Sequence, residues 1–360
     1  MWAMASVRVM TWNVQNLFEP GTGDGPETMR AYRAKLASLA QVIDAARPHI
    51  VALQEVGPPA ALRALQQTLT WRMPYTALGA PDGRGIRVAF LSARVLREVE
   101  LIRLFPPELL PVQVGDDPEG PEGPPTMNQL GRPALAVTIR AGGRDLTVVN
   151  CHLKSKLLTY PPGSDGRLRF SPRDENERAR YAAFALYRRT AEATTLRCSL
   201  TQRMTAGDPD DLFVLAGDMN DEPAAATTQI LQGPPGSEIG TGGFRRPDRG
   251  DQLRLWNLAP LLPPDQAHSR IYHGRGELID HIFVSRALLD PLPTVRGMYP
   301  GRRHDALGHG PAERDPQRPR LRPRRDHRDV HGLTRRHPET TTRRRRSVDT
   351  RPGRRPSPPR

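Results

Sequence analysis

Thr11-Trp12-Asn13-Val14-Gln15-Asn16-Leu17-Phe18 follows an aliphatic run at residues 7–9, so a strand that begins in β-branched residues ends in a polar cluster. Four more segments repeat the arrangement: Leu53-Gln54-Glu55-Val56, Asn150-Cys151-His152-Leu153-Lys154, Gly217-Asp218-Met219-Asn220 and Ile279-Asp280-His281-Ile282-Phe283. Polar tips on several strand ends predict one rim where Asn, Glu, His and Asp side chains converge. That oxygen-rich composition is what a hard divalent cation and a phosphate need. Glu55 ends a buried strand, where a carboxylate is costly unless it is paired or coordinating. It is therefore the first metal candidate, with a structural salt bridge as the other reading. Asn13 offers a neutral oxygen to the same cation or to a phosphate, or else closes an Asx-turn.

The five segments, in this order and over roughly residues 7–290, resemble the endonuclease/exonuclease/phosphatase superfamily of deoxyribonuclease-I-like metal-dependent phosphoesterases. Trp-Asn-Val-x-Asn-Leu-Phe is similar to its bacterial nuclease-like members, while Gln15-Asn16 departs from the abasic-site repair branch. The resemblance implies an α/β fold, a four-layer α/β sandwich of two mixed β-sheets flanked by helices. It also implies magnesium, or manganese in its place, held by Asn13 and Glu55. Asp218 would orient or deprotonate the attacking water and Asn220 would hold that water or the phosphate. His152 would donate to a phosphoryl oxygen, with Asn150 and Lys154 as further phosphate or substrate contacts. Asp280 would pair with a later histidine and fix its charge, whereas His281, on the opposite face of the strand, reads as a packing or rim residue.

Composition bounds the partners. The formal charge of +14 sits mainly in residues 301–360, which carry 19 Arg and no Lys against 7 Asp and Glu. Residues 1–300 keep 34 basic and 32 acidic groups, so the body is nearly neutral and the charge describes the tail. Two cysteines, Cys151 and Cys198, exclude a disulfide framework. The segment Met1-Trp2-Ala3-Met4-Ala5-Ser6 has no leader features, and no apolar run approaches membrane-spanning length, so a cytoplasmic monomer without a membrane partner is expected.

Helical spacing predicts helices over residues 27–46, 60–69 and 174–204, the last with Arg178, Arg180, Arg188 and Arg189 on an exposed face. Strands are expected at 86–91 and 95–104, a surface loop at 106–125, and a hairpin from 135–139 to 146–149. The insertion at 155–172 interleaves Lys156, Tyr160, Arg167, Arg169 and Phe170. It is either a solvated loop or a surface that grips a phosphodiester backbone and stacks a base.

Past Val295 there is no Phe, Trp or Ile, and Arg and Pro dominate. This divides the chain into a domain at 1–295 and a basic tail at 296–360. The superfamily's last signature, Ser-Asp-His, occurs nowhere; Arg325-Asp326-His327 lacks the apolar strand that should follow. Written as codons and read one base later, Leu321-Arg322-Pro323-Arg324 is compatible with Ser-Asp-His. Asp326-His327-Arg328-Asp329-Val330 then shifts to a segment compatible with Thr-Thr-Ala-Thr-Phe, which is strand-like. A frameshift between Val295 and His304 is the expectation.

The reading that follows is a magnesium-dependent phosphodiesterase, a nuclease by preference, crippled by loss of its last motif. Its rival is a non-catalytic metal- or nucleic-acid-binding protein that uses the tail and loses affinity steeply with salt.

Overall fold

The computed structural model describes residues 7–22, 25–116, 123–163, 166–167, 169–207, 211–246 and 250–298. Most of the tail, residues 299–360 with the shifted segment at 321–330, lies outside them. The first sheet takes β1 (Val9–Leu17), β2 (Ile50–Val56), β3 (Tyr75–Leu78) and β4 (Arg87–Ser92) in the order β1-β2-β4-β3. The chain continues through β5 (Arg97–Leu104), a short ribbon of β6 (Val112–Gln113) with β7 (Thr126–Met127), and then β8 (Gln129–Ala141) and β9 (Arg144–His152). β10 (Leu212–Asp218), β11 (Leu255–Asn257), a second ribbon of β12 (Arg270–Tyr272) with β13 (Arg275–Glu277), and β14 (Asp280–Ser285) complete the strands. The second sheet runs β11-β14-β10-β9-β8-β5. Both sheets are mixed, since β1 with β2 and β9 with β10 are parallel and the other pairs antiparallel.

Period-two patterning decides the layers. Ala52, Val88 and Phe90 of the first sheet meet Val137, Val148 and Val214 of the second in one cluster between the sheets. The alternate residues Val51, Leu53 and Leu91 face outward, onto Leu36, Leu39 and Ile43 of α1 (Met29–Ala46) and Leu62 and Leu65 of α2 (Pro59–Thr68). On the far side Val149, Phe213 and Leu215 pack against Ala193, Leu196 and Leu200 of α3 (Glu175–Ala206). Helices therefore cover both outer faces, which is the four-layer α/β sandwich expected from the motifs. A last short helix, α4 (Ala226–Gln232), follows β10.

The helices start where their caps allow. Thr28 accepts from Ala31 N at 3.2 Å, and Arg47 ends α1 in the left-handed region at φ 47°, just before Pro48. Asp174 accepts from Glu177 N at 2.8 Å while Glu177 reaches back to Arg173 N, a reciprocal cap on the long α3. The stretch 106–125 departs from the expected loop in part, because Val112–Gln113 within it pair as β6 with Thr126–Met127, just past its end, as β7. Two-residue strands leave too little periodicity to read. Among the described residues no helix is long and apolar enough to cross a membrane.

Gly217 lies inside β10, between Cys151 of β9 and His281 of β14, at φ 149°. A Cβ there would stand 2.0 Å from the Cys151 carbonyl oxygen, so close approach, more than a turn, demands glycine. Gly217→Ala must push two paired strands apart beside Asp218. It is expected to cost about 3 kcal/mol in denaturant unfolding, and a midpoint within error of wild type would refute the packing account.

Candidate active site

The rim is built from both sheets. His152, Asp218 and Asp280 stand side by side on one rung of the second sheet, His152 and Asp280 being the register partners of Asp218 on either flank. Asn13 and Glu55 come from the facing ends of β1 and β2, where the pairing slips between Asn13 and Leu17 and between Leu53 and Val56. Gln15, Asn16 and Glu55 adopt φ of 52°, 55° and 61° there, and Asn220 follows β10 at 52°. Left-handed backbone at four non-glycine residues costs of order 1–3 kcal/mol each and persists only where surrounding contacts hold it. Here it turns strand-end side chains inward.

Glu55, His152 and Asp218 present ligand atoms that all lie within 4.8 Å of one another. Asn13 Nδ2 donates to Glu55 Oε1 at 2.8 Å and to Asp218 Oδ2 at 2.9 Å, spanning the two sheets. Its Oδ1, expected to face a cation, accepts from Gln15 N at 2.9 Å instead. Asn13 thus both forms the Asx-turn and orients the two carboxylates. Glu55 Oε2 accepts from Asn16 N at 2.9 Å, and Asn220 N donates to Asp218 Oδ1 at 2.8 Å. Asn220 Nδ2 donates to Leu153 O at 3.0 Å, which braces the loop after β10.

Burial sets the charge states. Desolvation raises the Asp218 carboxyl to about 6, with the nearby Glu55 charge adding to it against the Asn13 and Asn220 hydrogen bonds. Asp280 is pushed well above the usual carboxylate range by desolvation and then by Asp218, and its Oδ1 is buried without a hydrogen-bond partner among the described residues. Desolvation and then Arg132, Arg84 and Lys154 hold His152 well below its ordinary value, so it is neutral near pH 7. Its Nε2 lies 3.6 Å from Asp218 Oδ2 and 3.9 Å from Glu55 Oε1, and its Nδ1 is buried without a hydrogen-bond partner among the described residues.

Two expected substrate contacts are placed elsewhere. Asn150 is fully buried, donating to Leu53 O and Ala89 O at 2.9 Å each while accepting from Gln54 Nε2 at 2.7 Å. It staples the second sheet to the first and has nothing left for a phosphate. Lys154 turns its Nζ onto Leu157 O at 2.7 Å and Ser155 O at 3.1 Å. Burial and then the Arg188 charge lower that amine to about 8.

The arginines of α3 are not one exposed face. Arg178 and Arg180 are exposed, but Arg189 is buried, donating to Asp221 Oδ2 at 3.2 Å and Lys154 O at 2.9 Å. Glu192, 1% exposed, accepts from Arg188 Nε at 2.9 Å and from Lys154 N at 2.6 Å. In the insertion Tyr160 is buried under Arg169, which is bound to Glu177 at 2.6 Å, so these two are structural while Lys156 and Phe170 stay outside. The Arg188 and Glu192 spacing of i,i+4 was a readable signal. Arg132, held by Asp82 at 2.9 Å across 50 residues, left none.

His281 points away from the rim, as its alternation predicts. Its Nδ1 meets Asn257 Nδ2 at 3.1 Å and its Nε2 meets Asp221 O at 2.9 Å, partners that suit the neutral ring with the proton on Nε2. Burial depresses it to about 4. The unfolded chain therefore binds the proton first as pH falls, and stability present above about 6.5 is lost between there and about 4, worth about 3 kcal/mol. Denaturant titrations at several pH values should show this slope reduced in His281→Leu; an unchanged slope would assign it to other groups.

Among curated proteins none matches the sequence. The catalytic domain of human Nocturnin, solved with a sulfate anion, aligns over 78% of this chain and 83% of its own at 18% identity and a TM-score of 0.46. TDP2 from D. rerio, in complex with a single-strand DNA product, aligns over 80% and 87% at 16% identity and 0.44. An endonuclease/exonuclease/phosphatase from Beutenbergia cavernae aligns over 79% and 65% at 18% identity and 0.44. Residues 10–355 match the model of the endonuclease/exonuclease/phosphatase family, and the chain belongs to that family of phosphoric ester hydrolases.

Proposed function

We propose that this protein is a magnesium-dependent phosphodiesterase acting on nucleic acid. The observation that carries the reading is the convergence of Glu55, His152 and Asp218 within 4.8 Å, with a third carboxylate, Asp280, on the same rung. Burial and then neighbouring carboxylate charge raise the proton affinity of Asp218 and Asp280, and Asp280 Oδ1 is buried without a hydrogen-bond partner among the described residues. A cation relieves both, so the residues fit a hard divalent ion, with Glu55 and Asp218 as its holders. When bound, that ion supplies positive charge against the phosphate and the attacking oxygen.

The chain's own groups supply the rest. The Asp218 carboxylate takes a proton from water, and Asn13 Nδ2 with the Asn220 backbone N–H fixes its direction. Neutral His152 beside it donates to a phosphoryl oxygen as charge grows there. Lys156, ion-paired to Asp221 at 3.1 Å and half exposed, and exposed Phe170 favour a nucleic-acid backbone over an isolated phosphomonoester.

The test is a diester hydrolysis assay after chelation and readdition of magnesium or manganese. Activity should vanish with chelator and return with either ion. Glu55→Gln keeps shape and removes charge, so it should raise the magnesium concentration needed for half-maximal rate by tenfold or more, measured against an unaltered circular dichroism spectrum. A wild-type magnesium response in that variant would refute the ligand role.

A further inference from the structure

A cavity of about 240 Å³ opens beside the rim, between α3, the β6–β7 ribbon and the insertion, and Lys154, Leu158, Met127, Tyr181, Phe184 and Arg188 are among its walls. It is smaller than the roughly 300–1,000 Å³ of sites that enclose drug-sized ligands, so a ligand of nucleotide size would leave part of itself outside. Lys154, two residues beyond His152 in the same strand-end motif, links the cavity to the reacting centre, although Glu55, His152 and Asp218 do not line it.

The charged side of this cavity is a built feature. Arg188 spends only Nε on the protein, donating to Glu192 Oε1, and its two terminal amino groups have no acceptor among the described residues. Glu192 is shared between Arg188 and the Lys154 backbone, while Arg132 and Arg189 are already matched by Asp82 and Asp221. Lys154 and Arg188 thus have one carboxylate between them, and the wall keeps a net positive charge. Gly131 makes room for this, because a Cβ there would stand 1.4 Å from Arg188 Nη2. The other side is aromatic. Tyr181 meets Phe184 edge-on with centroids 5.4 Å apart and Tyr160 at 5.2 Å, a ladder that holds Tyr181 and Phe184 in place as a wall.

We propose that this cavity is a subsite for one nucleotide unit next to the scissile phosphodiester, its base against Tyr181 and Phe184 and its phosphate on Arg188. The assignment rests on the phosphodiesterase reading for its place in the reaction, but the binding itself does not require catalysis. Arg188 offers paired donors in a plane suited to two phosphate oxygens, and a base supplies the flat apolar surface that the aromatic wall accepts.

Calorimetric titration of the full chain with AMP, adenosine and inorganic phosphate, at physiological salt and without divalent ions, tests it. AMP is expected to bind at least tenfold more tightly than either fragment. Arg188→Gln and Gly131→Ala should each weaken AMP tenfold or more, the second by displacing the flexible end of Arg188 without removing it, and thermal melts confirm that both remain folded. No AMP binding, binding matched by inorganic phosphate, or affinity unchanged in both variants would overturn the subsite. AMP binding that responds to both variants in a protein that cleaves no diester supports the subsite and sinks the phosphodiesterase reading.

Discussion

Asp218→Asn is expected to lower kcat by about 10³-fold, within the roughly 10²–10⁴ attributed to a positioned general base, while stabilising the metal-free protein. The two effects share one cause. Asp218 sits almost fully buried between Glu55 and Asp280, and its carboxyl is held at about 6 against an ordinary value of 3.8. In the unfolded chain it ionises first, so its contribution to stability is complete below about 3.8 and is lost as pH rises through about 6. An amide of the same shape carries no charge and escapes that loss. The variant should therefore melt higher than wild type at pH 7.5 in chelator, and the advantage should shrink toward pH 4. Magnesium should raise the wild-type melting temperature more than that of the variant. Hydrolysis near the wild-type rate would remove Asp218 from the chemistry, and a lower melting temperature at neutral pH would mean the buried carboxylate is a structural partner.

That opposition between stability and chemistry is why so much of the rim was legible in the sequence. Apolar runs ending in Asn, Glu, His or Asp have no packing rationale, and the residues they flagged at 13, 55, 152, 218 and 280 do meet across two sheets. What the pattern could not give was the direction of each polar atom. Asn150 and Asn220 look the same as Asn13 in a string of letters, yet their amides are consumed by Leu53, Ala89 and Leu153 carbonyls. Long-range pairs were equally silent: Arg132 finds Asp82, and Gln54 finds Asn150 across 96 residues, through folding and not through local spacing. Alternation did place His281 on the opposite face from Asp280. It could not show that the ring has two hydrogen-bond partners there, or that burial depresses it to about 4.

If the chain carries the expected frameshift between Val295 and His304, restoring the frame so that Ser-Asp-His and its strand are read is expected to raise kcat by about 10²–10³-fold, the size of one transition-state donor. Two features of the described chain motivate this. Asp280 is half-buried with its Oδ1 buried and unpartnered among the described residues, and its carboxyl is pushed well up by desolvation and by Asp218. An imidazolium beside it would reverse that shift, holding Asp280 ionised and itself protonated. β1 stands at the edge of its sheet with Val9, Met10, Thr11, Trp12 and Asn13 only half buried, whereas nearly every residue of β2 and β4 is buried. A following strand laid along that edge would cover it and pair its free backbone groups. The restored protein should thus also unfold at higher denaturant, with slower amide exchange along β1. Substituting the restored histidine by alanine should remove the rate gain and keep the added stability, which separates the donor from the strand. Equal rates in the two frames, or a nucleotide sequence that lacks Ser-Asp-His in both registers, would show that the Arg/Pro tail is the native end of this protein.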